Sequence, residues 1–270
     1  MKAAFLDYDG TFAAPSGVPP EHVEAVHAAQ SAGHRVFLCT GRPRPLITDA
    51  LVSLFDGVIG LAGGYIELDG RVLTDTVFSP ELAATTVSVL DEHGVHYTLE
   101  ASDGLYASAP GLDALRAIGG LVGPTFSDFP IILRTLRVSD MTPPPPFGKV
   151  VCWQAPMATR DLAGRIGPDV TGLPSSLPWH DGHAGEIFLA AVTKAVGMRT
   201  VTERLGLTLA DAVAVGDGHN DIEMLQEAGT AVAIAGAPAA LLAHADHVVP
   251  GPERAGIVAA FELAGLFDRA

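Results

Sequence analysis

Two aspartates, Asp7 and Asp9, close the apolar run Ala3-Ala4-Phe5-Leu6, and Gly10-Thr11 follows directly. On an extended segment alternate residues project the same way, so both carboxylates tend to face one site. A second acidic pair, Asp217 and Asp221, lies within Gly-Asp-Gly-His-Asn-Asp at 216–221. Its spacing of four lets both side chains face one site where a loop opens a helix. Gathering so many carboxylates is unfavourable without a cation, and oxygen ligands completed by water and phosphate are what Mg²⁺ prefers. Other residue types suit an anion beside such an ion. Thr40 supplies a hydroxyl, and Gly41 lets the backbone approach an anion closely. Lys194 is a mobile positive charge able to balance phosphate oxygens. A carboxylate is also a competent nucleophile toward phosphorus, giving an aspartyl-phosphate.

These residues are up to two hundred positions apart, so the fold must bring them together. The first eighty residues alternate apolar runs with helical patterns: AAFLD, a helix over 21–32, RVFLCT at 35–40, a helix over 45–55, then VIGLA at 58–62. That alternation predicts a parallel sheet wrapped by helices. YIELDGRVL at 65–73 reads as a hairpin about Asp69-Gly70. Residues 81–185 differ in texture, with short alternating strands, many breakers and PPPP at 143–146, and predict an α+β insertion with the prolines in a surface loop. From Glu186 the first texture returns, with a helix over 192–205, DAVAVGD at 211–217, a helix over 219–228, AVAIAG and HVVP. The expected architecture is an α/β, Rossmann-like doubly wound parallel sheet built from 1–80 and 186–270, carrying an α+β cap over 81–185. In such sheets ligands collect outside the carboxyl ends of the strands, where all four polar segments fall.

Composition narrows the partners. The chain has 270 residues, 48% of them hydrophobic and 17% charged, with a formal charge of −15. This composition excludes wholesale disorder, and the acidity argues against a nucleic-acid or anionic-membrane surface, which needs clustered Lys and Arg. No apolar run approaches the roughly 18–20 residues that span a bilayer. Two distant cysteines, Cys39 and Cys152, and an N-terminus without a basic, apolar leader lead us to expect a soluble cytoplasmic protein. No GxGxxG or P-loop pattern is present.

FLDYDGTF, FLCTGRP, the Lys194 region and AVGDGHNDIEML, in that order, together resemble the haloacid dehalogenase (HAD) superfamily. The large insertion, GGYIELDG before it and EIFLAAVTK after it look like the Cof-type branch, whose cap is of the C2B kind. The resemblance spans essentially the whole chain. It implies that Asp7 is the nucleophile and that Asp9 protonates the leaving alcohol and then deprotonates the hydrolytic water. It also implies that Mg²⁺ is held by Asp7, the Asp9 backbone carbonyl and Asp217, with Asp221 in or near its shell. Thr40, with Gly41, and Lys194 would bind the phosphoryl group, supported by Asn220. Superfamily members that pump ions carry Thr where this chain has Asp9, so Asp9 favours a phosphatase or a phosphomutase. The implied activity is hydrolysis of a small phosphorylated metabolite, a sugar phosphate being the first expectation. A phosphomutase or a non-catalytic phospho-ligand-binding relative are the alternatives.

Some positions are read differently. Branch members often have Asn-Gly at Gly63-Gly64 and Lys-Gly at Lys194-Ala195, so one substrate contact is in question. Arg42 is as well explained by pairing with a surface acid as by substrate. His219 suits Mg²⁺ poorly, and His180 and His183 read as a rim or hinge rather than a metal site. Cys39 is read as a buried strand residue. Trp179, His180, His183 and Arg134 are candidates to reach substrate. A signalling receiver domain shares the acidic cluster, Thr and Lys, but has neither the second Asp of DxDGT nor a hundred-residue insertion.

Overall fold

The computed structural model describes residues 1–122, 129–175 and 183–267. The chain opens with β1 (Ala3–Leu6), α1 (Pro20–Ser31), β2 (Arg35–Cys39), α2 (Asp49–Val52), β3 (Gly57–Gly60), β4 (Tyr65–Leu68) and β5 (Arg71–Asp75). Next come α3 (Pro80–Glu92), β6 (His96–Glu100), β7 (Leu105–Ala107), α4 (Ala109–Val122), α5 (Phe129–Thr135) and β8 (Leu136–Val138). Then follow β9 (Lys149–Ala155), α6 (Thr159–Ile166), β10 (Val170–Pro174) and β11 (His183–Leu189). The last stretch holds α7 (Lys194–Arg204), β12 (Ala212–Gly216), α8 (Ile222–Glu227), β13 (Thr230–Ile234), α9 (Ala239–Leu242), β14 (His247–Val249) and α10 (Gly256–Leu263).

The chain divides into two compact units. The first comprises Met1–Arg42, Ile47–Thr74 and Thr193–Ala270; the second, Pro43–Leu46 and Asp75–Val192. The first unit is an eight-stranded sheet in the order β14-β13-β12-β1-β2-β3-β4-β5. Its strands from β14 through β3 are parallel, and β4 turns antiparallel. Alternate residues of the central strands serve two cores. Ala4, Leu6, Val36, Leu38, Val213 and Val215 pack with α1 and α10 residues on one face. Ala3, Phe5, Phe37, Cys39, Ala212 and Ala214 pack with α7 and α8 residues on the other. Burial on both faces is why these strands read as continuous apolar runs. This is the doubly wound α/β sheet the sequence predicts.

The second unit is a six-stranded sheet in the order β10-β11-β9-β6-β7-β8, antiparallel except for β7 with β8. Residues of α3 and α6 pack on it around Val150, Cys152 and Ile187. Here the structure departs from the boundary read at 185/186. β11 runs on to Leu189, hydrogen-bonded between β9 and β10, and the first unit resumes only at Thr193. The helix expected over 45–55 is also replaced, by a 3-10 turn at Arg44–Leu46 and the short α2. Pro43 and Pro45 lack N–H donors, and the Thr48 side chain accepts from the Leu51 N–H to start a new helix. Cys39 and Cys152 are both free and buried. Among the described residues no helix is long and apolar enough to cross a membrane.

One buried histidine ties the loop after β1 to the sheet's outer helices. His22 Nε2 accepts the Ile257 N–H at 3.2 Å, so Nδ1 carries the proton and donates to the Phe12 carbonyl at 2.9 Å. Burial holds this imidazole below its ordinary value of 6.5, against the raising effects of Phe12 and Glu21. Protonation would set a second N–H against that of Ile257. The unfolded chain therefore binds this proton more readily than the folded one. Its contribution to stability is complete above about pH 6.5 and is lost as pH falls from there through the lowered folded value. Urea unfolding of wild type and His22→Gln across this range should give a difference curve that falls on acidification. A flat difference would remove His22 as the cause.

Candidate active site

β12, β1 and β2 are neighbours at the centre of the first unit's sheet, and their carboxyl ends carry Asp217, Asp7 and Thr40. From β1 the chain crosses to β2 on one side, while from neighbouring β12 it crosses to β13 on the other, which makes the space between β1 and β12 the switch point at which open α/β sheets bind ligands. Asp7 is fixed through its backbone, its N–H donating to the Val215 carbonyl and its carbonyl accepting from Phe12. Its Oδ1 meets Lys194 Nζ at 2.5 Å, and the same ammonium reaches Asp221 Oδ1 at 2.6 Å. Asp221 Oδ2 accepts the backbone N–H groups of Asp217 (3.1 Å) and Gly218 (2.9 Å). Thr11 donates its hydroxyl to Asp217 Oδ1 at 2.8 Å. Lys194 lies in the first turn of α7, started by the Thr193 side chain accepting the Val196 N–H.

Two carboxylates therefore grip one ammonium, and a third, Asp217, lies close to both of them. Burial pushes the Asp7 carboxyl well above its ordinary range; Lys194 opposes this, and Asp221 and Asp217 add to it. Burial also raises Asp217, with Asp221 adding and the Thr11 hydroxyl opposing. For Lys194, burial would lower the pKa, but Asp221 and Asp7 outweigh it and the ammonium is held. Asp7, Asp217 and Asp221 each offer a carboxylate oxygen within 4.8 Å of the others, a group able to hold a metal ion. The donors are hard oxygens with an excess of negative charge over Lys194, and they fit a small hard cation.

Glycines let these parts close up. Gly10 has φ +82°, and a Cβ there would lie 2.4 Å from Asp217 Oδ2. At Gly63 (φ +114°) a Cβ would sit 2.1 Å from the Thr193 carbonyl oxygen, against the backbone that presents Lys194. The position in question as a substrate contact thus has a structural duty. Because the obstacle is backbone and φ is positive, Gly63→Ala should cost about 2–3 kcal/mol of stability. It should also lower turnover by shifting the start of α7. Chemical denaturation beside steady-state kinetics measures both, and an unchanged midpoint would contradict the close approach.

The remaining expected residues divide. Thr40 is buried, and its Oγ1 accepts the Arg42 N–H at 3.2 Å. Gly41 continues that turn, and Asn220 lies half-buried on the 3-10 turn His219–Asp221. The Asp9 carboxylate is outside the acidic group. Its side chain is 61% exposed, and Arg42 grips it with two hydrogen bonds, Nε to Oδ2 at 2.9 Å and Nη2 to Oδ1 at 2.6 Å. The same guanidinium lies 4.6 Å from the Tyr8 ring centroid. Asp7 and Asp9 therefore do not share a site through their side chains, because β1 ends at Leu6 and the chain turns at once. Thr11 has no role assigned from the sequence, although a hydroxyl two residues past Asp9 is a signal in plain view. His219 is exposed, and Arg134 and His183 are exposed on the second unit. Trp179 and His180 lie outside the described residues.

The haloacid dehalogenase-like hydrolase family model matches residues 4–127 and 162–261. A phosphoglycolate phosphatase of Archaeoglobus fulgidus is 40% identical over 85 residues, 32% of this chain and 38% of that protein. The pyridoxal phosphate phosphatase of Escherichia coli is 25% identical over 262 residues, 90% of this chain and 91% of that protein. The solved structure of a HAD subclass IIB sugar phosphatase superposes with a TM-score of 0.79 at 23% identity, covering 99% of this chain and 100% of that one. That likeness speaks to the fold, while the family model covers the motifs on both sides of the insertion. By its sequence, the chain belongs to the haloacid dehalogenase-like hydrolases, in their Cof-type branch.

Proposed function

We propose that this hydrolase is a Mg²⁺-dependent phosphatase that removes the phosphoryl group from a small phosphorylated metabolite, a sugar phosphate first among them. The observation that carries the reading is the buried Asp7–Lys194–Asp221 bridge beside Asp217. It combines a fixed carboxylate, a charge for phosphate oxygens and donors for a cation at one strand end. Named activities of the relatives support the class, and the sugar phosphatase with the similar fold suggests the substrate type.

In this reading an Asp7 oxygen attacks phosphorus as the bond from phosphorus to the ester oxygen breaks, and Asp9 gives its proton to the departing alkoxide. Water then attacks the aspartyl-phosphate, Asp9 takes its proton, and inorganic phosphate leaves with Asp7 restored. Acid–base help of this kind is worth roughly 10²–10⁴-fold. To reach the leaving group the Asp9 carboxylate must turn from Arg42. Lys194 and Thr40, with Gly41 and Asn220, hold the phosphoryl oxygens. Asp7, the Asp9 carbonyl, Asp217 and Asp221 would hold Mg²⁺, which would supply positive charge to offset the negative charge of the phosphoryl oxygens. The first unit is the catalytic core in this reading and the second its cap. Its setting is the cytoplasm, on the strength of two separate, free thiols.

Phosphate release from sugar phosphates, phosphoglycolate, pyridoxal phosphate and nucleotides, with Mg²⁺ or with excess EDTA, tests this. Release with Mg²⁺ that EDTA abolishes is the expected result. Hydrolysis that survives EDTA would contradict the metal, and phosphate retained on an isomerised product would indicate a mutase.

A further inference from the structure

Among the described residues β5 and β14 are the two edge strands of the eight-stranded sheet, and β5 is a short strand that ends in charges of opposite sign. Neither proline nor lysine occurs in Arg71-Val72-Leu73-Thr74-Asp75, and Val72 and Leu73 are 57% and 38% exposed. Such an edge presents a row of backbone N–H and C=O groups ready to pair with another chain. We propose that β5 pairs antiparallel with β5 of a second copy of this chain, about a two-fold axis at Leu73, joining the two sheets edge to edge.

The strand is complementary to itself. Its end charges are opposite in sign and equidistant from Leu73, so the axis sets Arg71 opposite Asp75 of the second copy, and the reverse. Leu73 meets its own counterpart, and Val72 lies opposite Thr74. A slip of one pleat either way puts Leu73 against a charge, and parallel pairing sets like charges side by side. The backbone suits the same register. Asp69 and Gly70, with φ of 49° and 72°, make the two-residue loop that joins β4 to β5. With that loop closing between Leu68 and Arg71, alternate residues turn their N–H and C=O toward β4. Val72 and Thr74 are left to direct theirs outward, which makes them the hydrogen-bonded pairs across the axis and Leu73 the close, non-bonded pair. The Ser102 hydroxyl, at 2.5 Å, holds the Asp75 carboxylate at the strand's end. An interface of this kind is isologous and closes at two copies. A single strand pair is smaller than the roughly 1,200 Å² of a stable interface, so association is weak and rises with concentration.

Sedimentation velocity on the full chain, over the micromolar to millimolar range, reads the association. Wild type should shift from monomer to dimer as concentration rises. Leu73→Lys, which sets two ammonium groups face to face on an exposed edge, should stay monomeric with an unchanged circular dichroism spectrum. Arg71→Glu and Asp75→Arg should each weaken the dimer, and the double variant should recover it relative to either. A wild type that is monomeric throughout overturns the proposal, including the case where β5 serves a different protein. So does a dimer that survives Leu73→Lys, or a double variant no better than the singles.

Discussion

Asp7→Asn is expected to lower kcat by on the order of 10⁶-fold, the scale of loss when a nucleophile is removed, in a protein that remains folded. Asparagine keeps the shape of the side chain, and the backbone bonds to Val215 and from Phe12 do not involve it. Lys194 keeps its bond to Asp221. Burial, Asp221 and Asp217 oppose the charge removed and together outweigh Lys194, which favours it, so the metal-free variant should be at least as stable as wild type. Metal affinity should fall, since one of three converging carboxylates has become a weaker amide donor. Turnover on the best substrate, with thermal unfolding in EDTA and in Mg²⁺, separates these effects. Appreciable remaining turnover would move the nucleophile elsewhere, and loss of the fold would make Asp7 a structural residue first.

The strand ends were legible because a parallel sheet leaves so plain a record. Runs buried on both faces stand out as apolar, and a polar residue at the end of one has no core reason to be there. Asp7, Thr40 and Asp217 stand out that way, Asp221 by its spacing of four from Asp217, Lys194 as a lone charge at a helix start, and the Asp69-Gly70 hairpin by the demand for positive φ at both loop residues. What depended on distant partners was not legible. Whether Asp9 faces the acidic cluster or Arg42 is decided by a turn that begins at Asp7 and by a guanidinium 33 residues away. Gly63 could be weighed only as a substrate contact, because its obstacle, the Thr193 carbonyl, comes from the far side of the insertion. The sequence places the end of the insertion at 185 rather than 192 because β11 is apolar enough to pass for a core strand. Its antiparallel neighbours β9 and β10 determine where it belongs.

Lys194→Met should separate the two duties of that lysine. Methionine is close in volume and carries no charge, so the variant removes the ammonium from a fully buried position without opening a large cavity. Asp7 and Asp221 then face each other and Asp217 with nothing positive between them. Breaking a buried ion pair by deleting one partner costs about 3–5 kcal/mol, because the remaining charge is left uncompensated. Urea unfolding in EDTA should show a loss of that size. Mg²⁺ should return more stability to the variant than it adds to wild type, since a cation on the carboxylates relieves the repulsion that the lysine had relieved. Turnover should not return with it: the cation offsets the carboxylates, while the phosphoryl oxygens still lack the ammonium. Lys194→Arg should fail as well, because a planar guanidinium does not fit a pocket shaped around an ammonium between two carboxylates. Wild-type stability of Lys194→Met in EDTA would mean that the bridge does not hold the site together. Recovery of both stability and turnover with Mg²⁺ would mean that the lysine only balances charge and does not bind the phosphoryl group.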